Sequence, residues 1–107
     1  MSSFSALRLG TAWQRIAGLM DETAQSFVRT SFSSVVRDNW DMAIGLMDSA
    51  GRQFAQSSRS VPSFVGTMPR TLAIMLQSYP VERLSPGDVL ISNDGYYGTG
   101  HLNDITM

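Results

Sequence analysis

The chain has no cysteine, no lysine, a single histidine and no apolar run near the roughly 20 residues that a membrane helix needs. Without cysteine there is neither a disulfide framework nor a thiolate metal site. The N-terminus lacks the charged-then-apolar layout of a secretory signal, so the expected address is cytoplasmic. Eight arginines at scattered positions face nine acids, for a formal net charge of -1, and leave no basic stripe of the kind that nucleic acid requires. What remains is a chain of 107 residues, 43% hydrophobic and 16% charged, a length and balance that suit one domain with its own core.

Three segments carry readable periodicity. Thr11 followed by Gln14 fits a capping box, and Trp13, Ile16, Ala17, Met20, Ala24, Phe27 and Val28 then recur at helical spacing to about Thr30. Arg15, Asp21, Glu22, Gln25 and Arg29 form the wet back of that helix. From Asp41 the pattern becomes extended, with Met42, Ile44 and Leu46 alternating with other residues, and Asp48-Ser49-Ala50-Gly51 supplies the turn of a β-hairpin. After the loop "SSRSVPS", Thr67-Met68-Pro69 is expected to open a second helix with Met68, Leu72, Met75, Leu76 and Tyr79 on one face, stopped by Pro80. Ser85-Pro86-Gly87-Asp88 reads as a type II turn, and Val89-Leu90-Ile91 as a short buried strand. The fold class is therefore α+β: a long N-terminal helix, a β-hairpin, a second helix and a strand, forming part of a larger mixed α/β subunit. Ile105 and Met107 sit at strand spacing and stop without a closing element, which points to the N-terminal fragment of a longer chain, or to a sheet that another chain completes.

The chemistry concentrates in "NDGYYGTGHLND", Asn93 to Asp104. Asn93 and Asp94 follow the expected strand directly, where irregular backbone lets polar side chains converge on a ligand. Gly98-Thr99-Gly100 does not complete a dinucleotide loop, because the third glycine would fall at position 103, which is Asn, and no helix pattern follows. His101 and Asp104 are three residues apart, and an imidazole nitrogen with a carboxylate oxygen is a donor pair for Zn, Mn, Fe or Co. Two ligands rarely suffice. Asp41 is a candidate third, its other reading being a cap between helix and strand; a residue beyond Met107 is the alternative. Tyr96 and Tyr97 read as half-buried aromatics, and Arg37, Arg52 and Arg70 as solvated charges.

These residues also carry a resemblance. "NDGYYGTGHLNDIT" resembles the hallmark of the hydantoinase B/oxoprolinase family, N-D-P-[YW]-x-G-[GT]-[TG]-H-L-[PN]-D-[IV]-T, with Gly95 where proline is usual. "RTSFSSVVRDNWDMAIGLMDSAGRQFAQ" is similar to the family's early helix end, strand and Asp-x-x-Gly hairpin, although Met42-Ala43 replaces its Phe-Ser. "VPSFVGTMP" resembles its loop ending in Gly-x-Met-Pro, and "LSPGDVLISND" its strand entry. The four matches keep the family's order.

The resemblance implies a subunit of a hetero-oligomer that works with a hydantoinase A-type partner, which binds ATP and phosphorylates a small substrate. The implied reaction is ATP-dependent opening of a hydantoin, 5-oxoproline or related lactam; ATP-dependent carboxylation of a ketone remains open, as does a non-catalytic interaction module. It further implies that His101 and Asp104 bind a divalent metal together with a later histidine, and that Asn93 and Asp94 orient substrate or water.

Overall fold

The computed structural model describes residues 5–98, 100 and 104–107. Along the chain it contains helix α1 (Ala6–Thr30), helix α2 (Ser34–Asn39), strands β1 (Gly45–Met47) and β2 (Gln53–Gln56), helix α3 (Pro62–Ser78) and a 3-10 turn (Val81–Arg83). The α+β expectation holds, and the boundaries differ in ways that local chemistry explains.

Helix α1 starts well before Thr11. The Ser5 hydroxyl accepts the Arg8 backbone N–H at 3.2 Å and caps the helix, while the Thr11 hydroxyl donates back to the Leu7 carbonyl at 2.9 Å. A capping signal inside a helix thus satisfies the helix's own carbonyl instead. Only the C-terminal half buries its stripe, at Met20, Ala24 and Val28, each four residues from the next; Trp13 and Phe27 stay substantially exposed.

Helix α2 was not expected. It is short, carries two adjacent valines, and is held by the Ser33 hydroxyl, which accepts the Val36 N–H at 3.4 Å. It ends on Trp40, whose φ of 55° is the left-handed conformation normally left to glycine. The Trp40 N–H closes the last turn on the Val36 carbonyl at 2.9 Å, and the Arg59 guanidinium lies 3.8 Å from the centre of the Trp40 ring. The core forms where these elements meet: Ala24 and Val28 of α1 against Met42, with Val36, Trp40 and Ile44 packed around them.

The hairpin matches its reading. Gly45 pairs with Gln56, Leu46 with Ala55 and Met47 with Gln53, so the register slips by one residue and leaves Phe54 as a bulge. Gly51 has φ 80°, as the turn requires, and one oxygen of the Asp48 carboxylate accepts the N–H groups of Ala50 (3.0 Å) and Arg52 (2.9 Å). The Arg52 backbone bond is the largest cause holding the Asp48 carboxyl below its usual range; the Arg52 guanidinium at 2.8 Å and the Ala50 N–H add to it, against some desolvation. A lowered folded-state pKa adds stability above the unfolded value, and that stability is lost as pH falls through the folded value. The protection of the Ala50 and Arg52 amides, taken as exchange relative to the unstructured chain at the same pH, should therefore fall on acidification below the normal Asp range, and Asp48→Asn should remove that dependence; an unchanged profile in the variant would assign it elsewhere.

Helix α3 begins at Pro62, not at Thr67. Proline is suited to a first helical position, so the segment read as a loop, residues 57–63, holds only as far as Val61 and its last two residues open the helix; Pro69 then sits inside it. The expected apolar face does meet the hairpin. The Met68 methyl lies 3.0 Å from where a Cβ on Gly45 would stand, and Leu72 and Leu76 methyls lie 3.9 Å from that position on Gly51. The helix stops at Ser78, before Tyr79-Pro80, as read.

Beyond the 3-10 turn, Ser85–Asp88 forms the expected bend, with Gly87 at φ 96° and the Asp88 N–H on the Ser85 carbonyl at 3.0 Å. Val89-Leu90-Ile91 is not the buried strand expected. Val89 and Ile91 are largely exposed, and beside them the described residues form one isolated antiparallel bridge, Ser92 with Thr106.

Candidate functional site

The bridge fixes the geometry of the site. Ser92 and Thr106 exchange two backbone hydrogen bonds of 2.8 Å each, tying the entry of the polar segment to its exit. In that register Asp94 and Asp104 each stand two residues beyond the bridge, at the same end of it.

Between them the chain turns on Asp94. Its Oδ1 accepts the N–H of Tyr96 at 2.9 Å and of Tyr97 at 3.4 Å, and its own N–H donates to the Ser92 hydroxyl at 3.2 Å. Asp94 therefore holds the loop's shape, a role that the sequence reading did not assign to it. Tyr96 and Tyr97 meet edge to face with ring centres 4.8 Å apart, and both are exposed. The Gly100 N–H closes the loop on the Gly95 carbonyl at 3.0 Å, and Gly100 needs its φ of 92° to do so.

Gly98 is constrained by space. A Cβ there would lie 2.7 Å from the Asp94 carbonyl oxygen, which is backbone and cannot rotate away. Gly98→Ala should displace the Asp94 turn and cost about 1–3 kcal/mol of stability. Thermal unfolding beside chemical-shift mapping of residues 92–98 checks it; a variant with unchanged shifts and midpoint would refute it.

Thr71 is the residue that the sequence reading missed. It sits in the apolar face of α3, is 4% exposed, and its hydroxyl lies 3.0 Å from the Thr67 carbonyl and 3.4 Å from the Tyr97 carbonyl. It thus seats the turn against α3. The only available signal was a threonine amid methionines and leucines.

Where α3 faces residues 89–97 there is an open cleft of about 440 Å3, with Ile74, Met75 and Ile91 among its apolar lining and Ser78, Ser92 and Asp94 among its polar lining. Asn93 is exposed beside it.

Of the expected metal ligands, His101 lies outside the described residues. Asp104 is half-buried near the bridge, and Asp41 is exposed directly after the Trp40 cap. Among the described residues no three Asp, Glu or His side chains come together as a metal site, so the described carboxylates do not form one by themselves. No described helix is long and apolar enough to cross a membrane.

An α+β chain with a polar turn clasped between a helix and a strand bridge defines a segment built to present one loop. Comparison with known proteins gives its family. The sequence profile described as hydantoinase B/oxoprolinase matches residues 5–107, and the chain belongs to that family. It is 29% identical over 86 residues to the candidate B component of a D-/L-hydantoinase from Pseudomonas sp. (strain NS671), covering 78% of this chain and 14% of that protein. Identity is 31% over 93 residues to 5-oxoprolinase 1 of Arabidopsis thaliana, covering 87% and 7%. It is 35% over 79 residues to the 5-oxoprolinase of Saccharomyces cerevisiae, covering 74% and 6%. The chain thus spans a small fraction, 6 to 14%, of these curated relatives. No solved structure matches it.

Proposed function

We propose that the chain is the N-terminal part of a hydantoinase B-type subunit that opens a hydantoin, 5-oxoproline or related lactam ring in an ATP-dependent reaction with a hydantoinase A-type partner. The observation that carries the reading is family membership over residues 5–107, which includes the whole polar loop. A cyclic amide is a poor electrophile, and phosphorylation of its carbonyl oxygen on the partner would convert that oxygen into a leaving group.

The residues of this chain then bind and orient. Asn93, exposed next to the cleft, offers an amide that both donates and accepts hydrogen bonds. Asp94 supports the loop through Oδ1 and presents a carboxylate to the cleft. His101 and Asp104 would hold a divalent cation, with Asp41 or a residue outside this chain as third ligand; their nitrogen and oxygen donors suit Zn, Mn, Fe or Co. When bound, such an ion lowers the pKa of a coordinated water toward neutrality.

The test is ATP consumption by the complete subunit with its partner, assayed with hydantoin, 5-oxoproline and a methyl ketone, with and without bicarbonate. Ring opening coupled to ATP hydrolysis and indifferent to bicarbonate is expected. Strict bicarbonate dependence with the ketone would replace the reading with carboxylation, and no ATP-coupled turnover of any of them would remove it.

A further inference from the structure

We infer that the link between Asp94 and Gly95 is a site of spontaneous covalent modification, where the Gly95 amide nitrogen closes on the Asp94 carboxyl carbon and the succinimide so formed reopens as isoaspartate.

The chemistry is internal to two residues and needs only water. A bond forms between the Gly95 nitrogen and Cγ of the protonated Asp94 side chain, and the carboxyl hydroxyl leaves as water with the amide proton. Water then adds to the five-membered imide. Opening at Cγ restores aspartate. Opening at the main-chain carbonyl carbon leaves the backbone running through Cβ and Cγ, with the former main-chain carbonyl released as a carboxylate. Nothing is oxidised or reduced, and the water lost in the first step is regained in the second.

Three observations place the reaction here. Of the aspartates in the chain Asp94 alone is followed by glycine, and no asparagine is, so every other candidate nitrogen belongs to a residue whose Cβ crowds the approach of a carboxyl group. The carboxyl is also folded in the direction of closure. Its Oδ1 accepts the N–H of Tyr96 at 2.9 Å and of Tyr97 at 3.4 Å, which bends the side chain forward over the peptide that joins Asp94 to Gly95. Asp94 is exposed, so water reaches the imide.

The product cannot keep the turn. Isoaspartate lengthens the backbone by one methylene and leaves a carboxylate directly on Cα, so the two amide bonds to Oδ1 are lost. The loop has little room to absorb the change, since a Cβ on Gly98 would already stand 2.7 Å from the Asp94 carbonyl oxygen.

The experiment incubates the complete subunit at neutral pH and physiological temperature over days and reads isoaspartate residue by residue by electron-based fragmentation mass spectrometry. Asp48 is the internal reference, because its Oδ1 likewise accepts the N–H two residues on, from Ala50 at 3.0 Å, with Ser49 in place of glycine. Isoaspartate should accumulate at Asp94 about 10-fold faster than at Asp48, since only glycine presents an uncrowded nitrogen. Hydroxylamine, which cleaves cyclic imides, should cut the chain after Asp94. Gly95→Pro, which has no amide proton to lose, should abolish both signals. Equal rates at Asp94 and Asp48, or undiminished isoaspartate at Asp94 in Gly95→Pro, overturn the inference. Should that variant fail to fold, the wild type decides: hydroxylamine cleavage after Asp94 upholds the inference, and a chain left intact overturns it.

Discussion

Replacing His101 by alanine in the complete subunit is expected to lower kcat by about 100-fold or more, because even residues that merely support a metal ligand cost 10- to 100-fold when removed. Bound metal, measured on the purified protein, should fall in parallel. Asp104→Asn should do the same, since an amide oxygen is a neutral and weaker donor than a carboxylate. Asp41→Asn separates the third-ligand question: Asp41 is exposed beside the Trp40 cap, so its loss should leave folding intact. If metal content drops in that variant, Asp41 belongs to the set; if it holds, the third ligand lies elsewhere. Full metal and turnover in the His101 variant would remove the imidazole from the site altogether.

The second large effect concerns stability. Met42 is 6% exposed and packs with Ala24 and Val28 at the centre of a small core. Met42→Ala should cost about 2–5 kcal/mol, since the methyl and thioether contacts vanish and the surrounding helices can only partly close the void. Chemical denaturation would register this as a lower midpoint. Because so few side chains are buried, a loss at the upper end of that range would leave little native population. A midpoint within experimental scatter of the wild type would show that cohesion resides in other contacts.

Legibility of the fold in the sequence tracked the strength of local chemistry. Met20, Ala24 and Val28 announced the buried face of α1, and Asp48 with Gly51 announced the hairpin turn down to the left-handed glycine. Helix starts were misjudged twice, because Thr11 and Thr67-Met68-Pro69 are plausible start signals that lie inside longer helices begun by Ser5 and by Val61-Pro62. Helix α2 escaped notice since six residues with paired valines show no helical period, and its closing Trp40 stands where glycine would have been the signal. Val89–Ile91 read as a buried strand from apolar content alone, which does not fix burial: Val89 and Ile91 are largely exposed.

For the site, the sequence placed Asn93 and Asp94 correctly at the start of the polar loop. It could not show that Asp94 braces that loop or that Thr71 reaches it across 26 positions, because both depend on tertiary proximity. Asp104 stands two residues from the Ser92–Thr106 bridge, and His101 is outside the described residues.

The stacking of Arg59 on Trp40 gives the chain a built-in optical gauge. Of its two indoles, Trp13 faces solvent, whereas Trp40 sits against the core beneath a guanidinium. Emission from the second therefore reports whether the α2 cap, the chain leaving the hairpin and the core remain assembled, with the first as an internal reference.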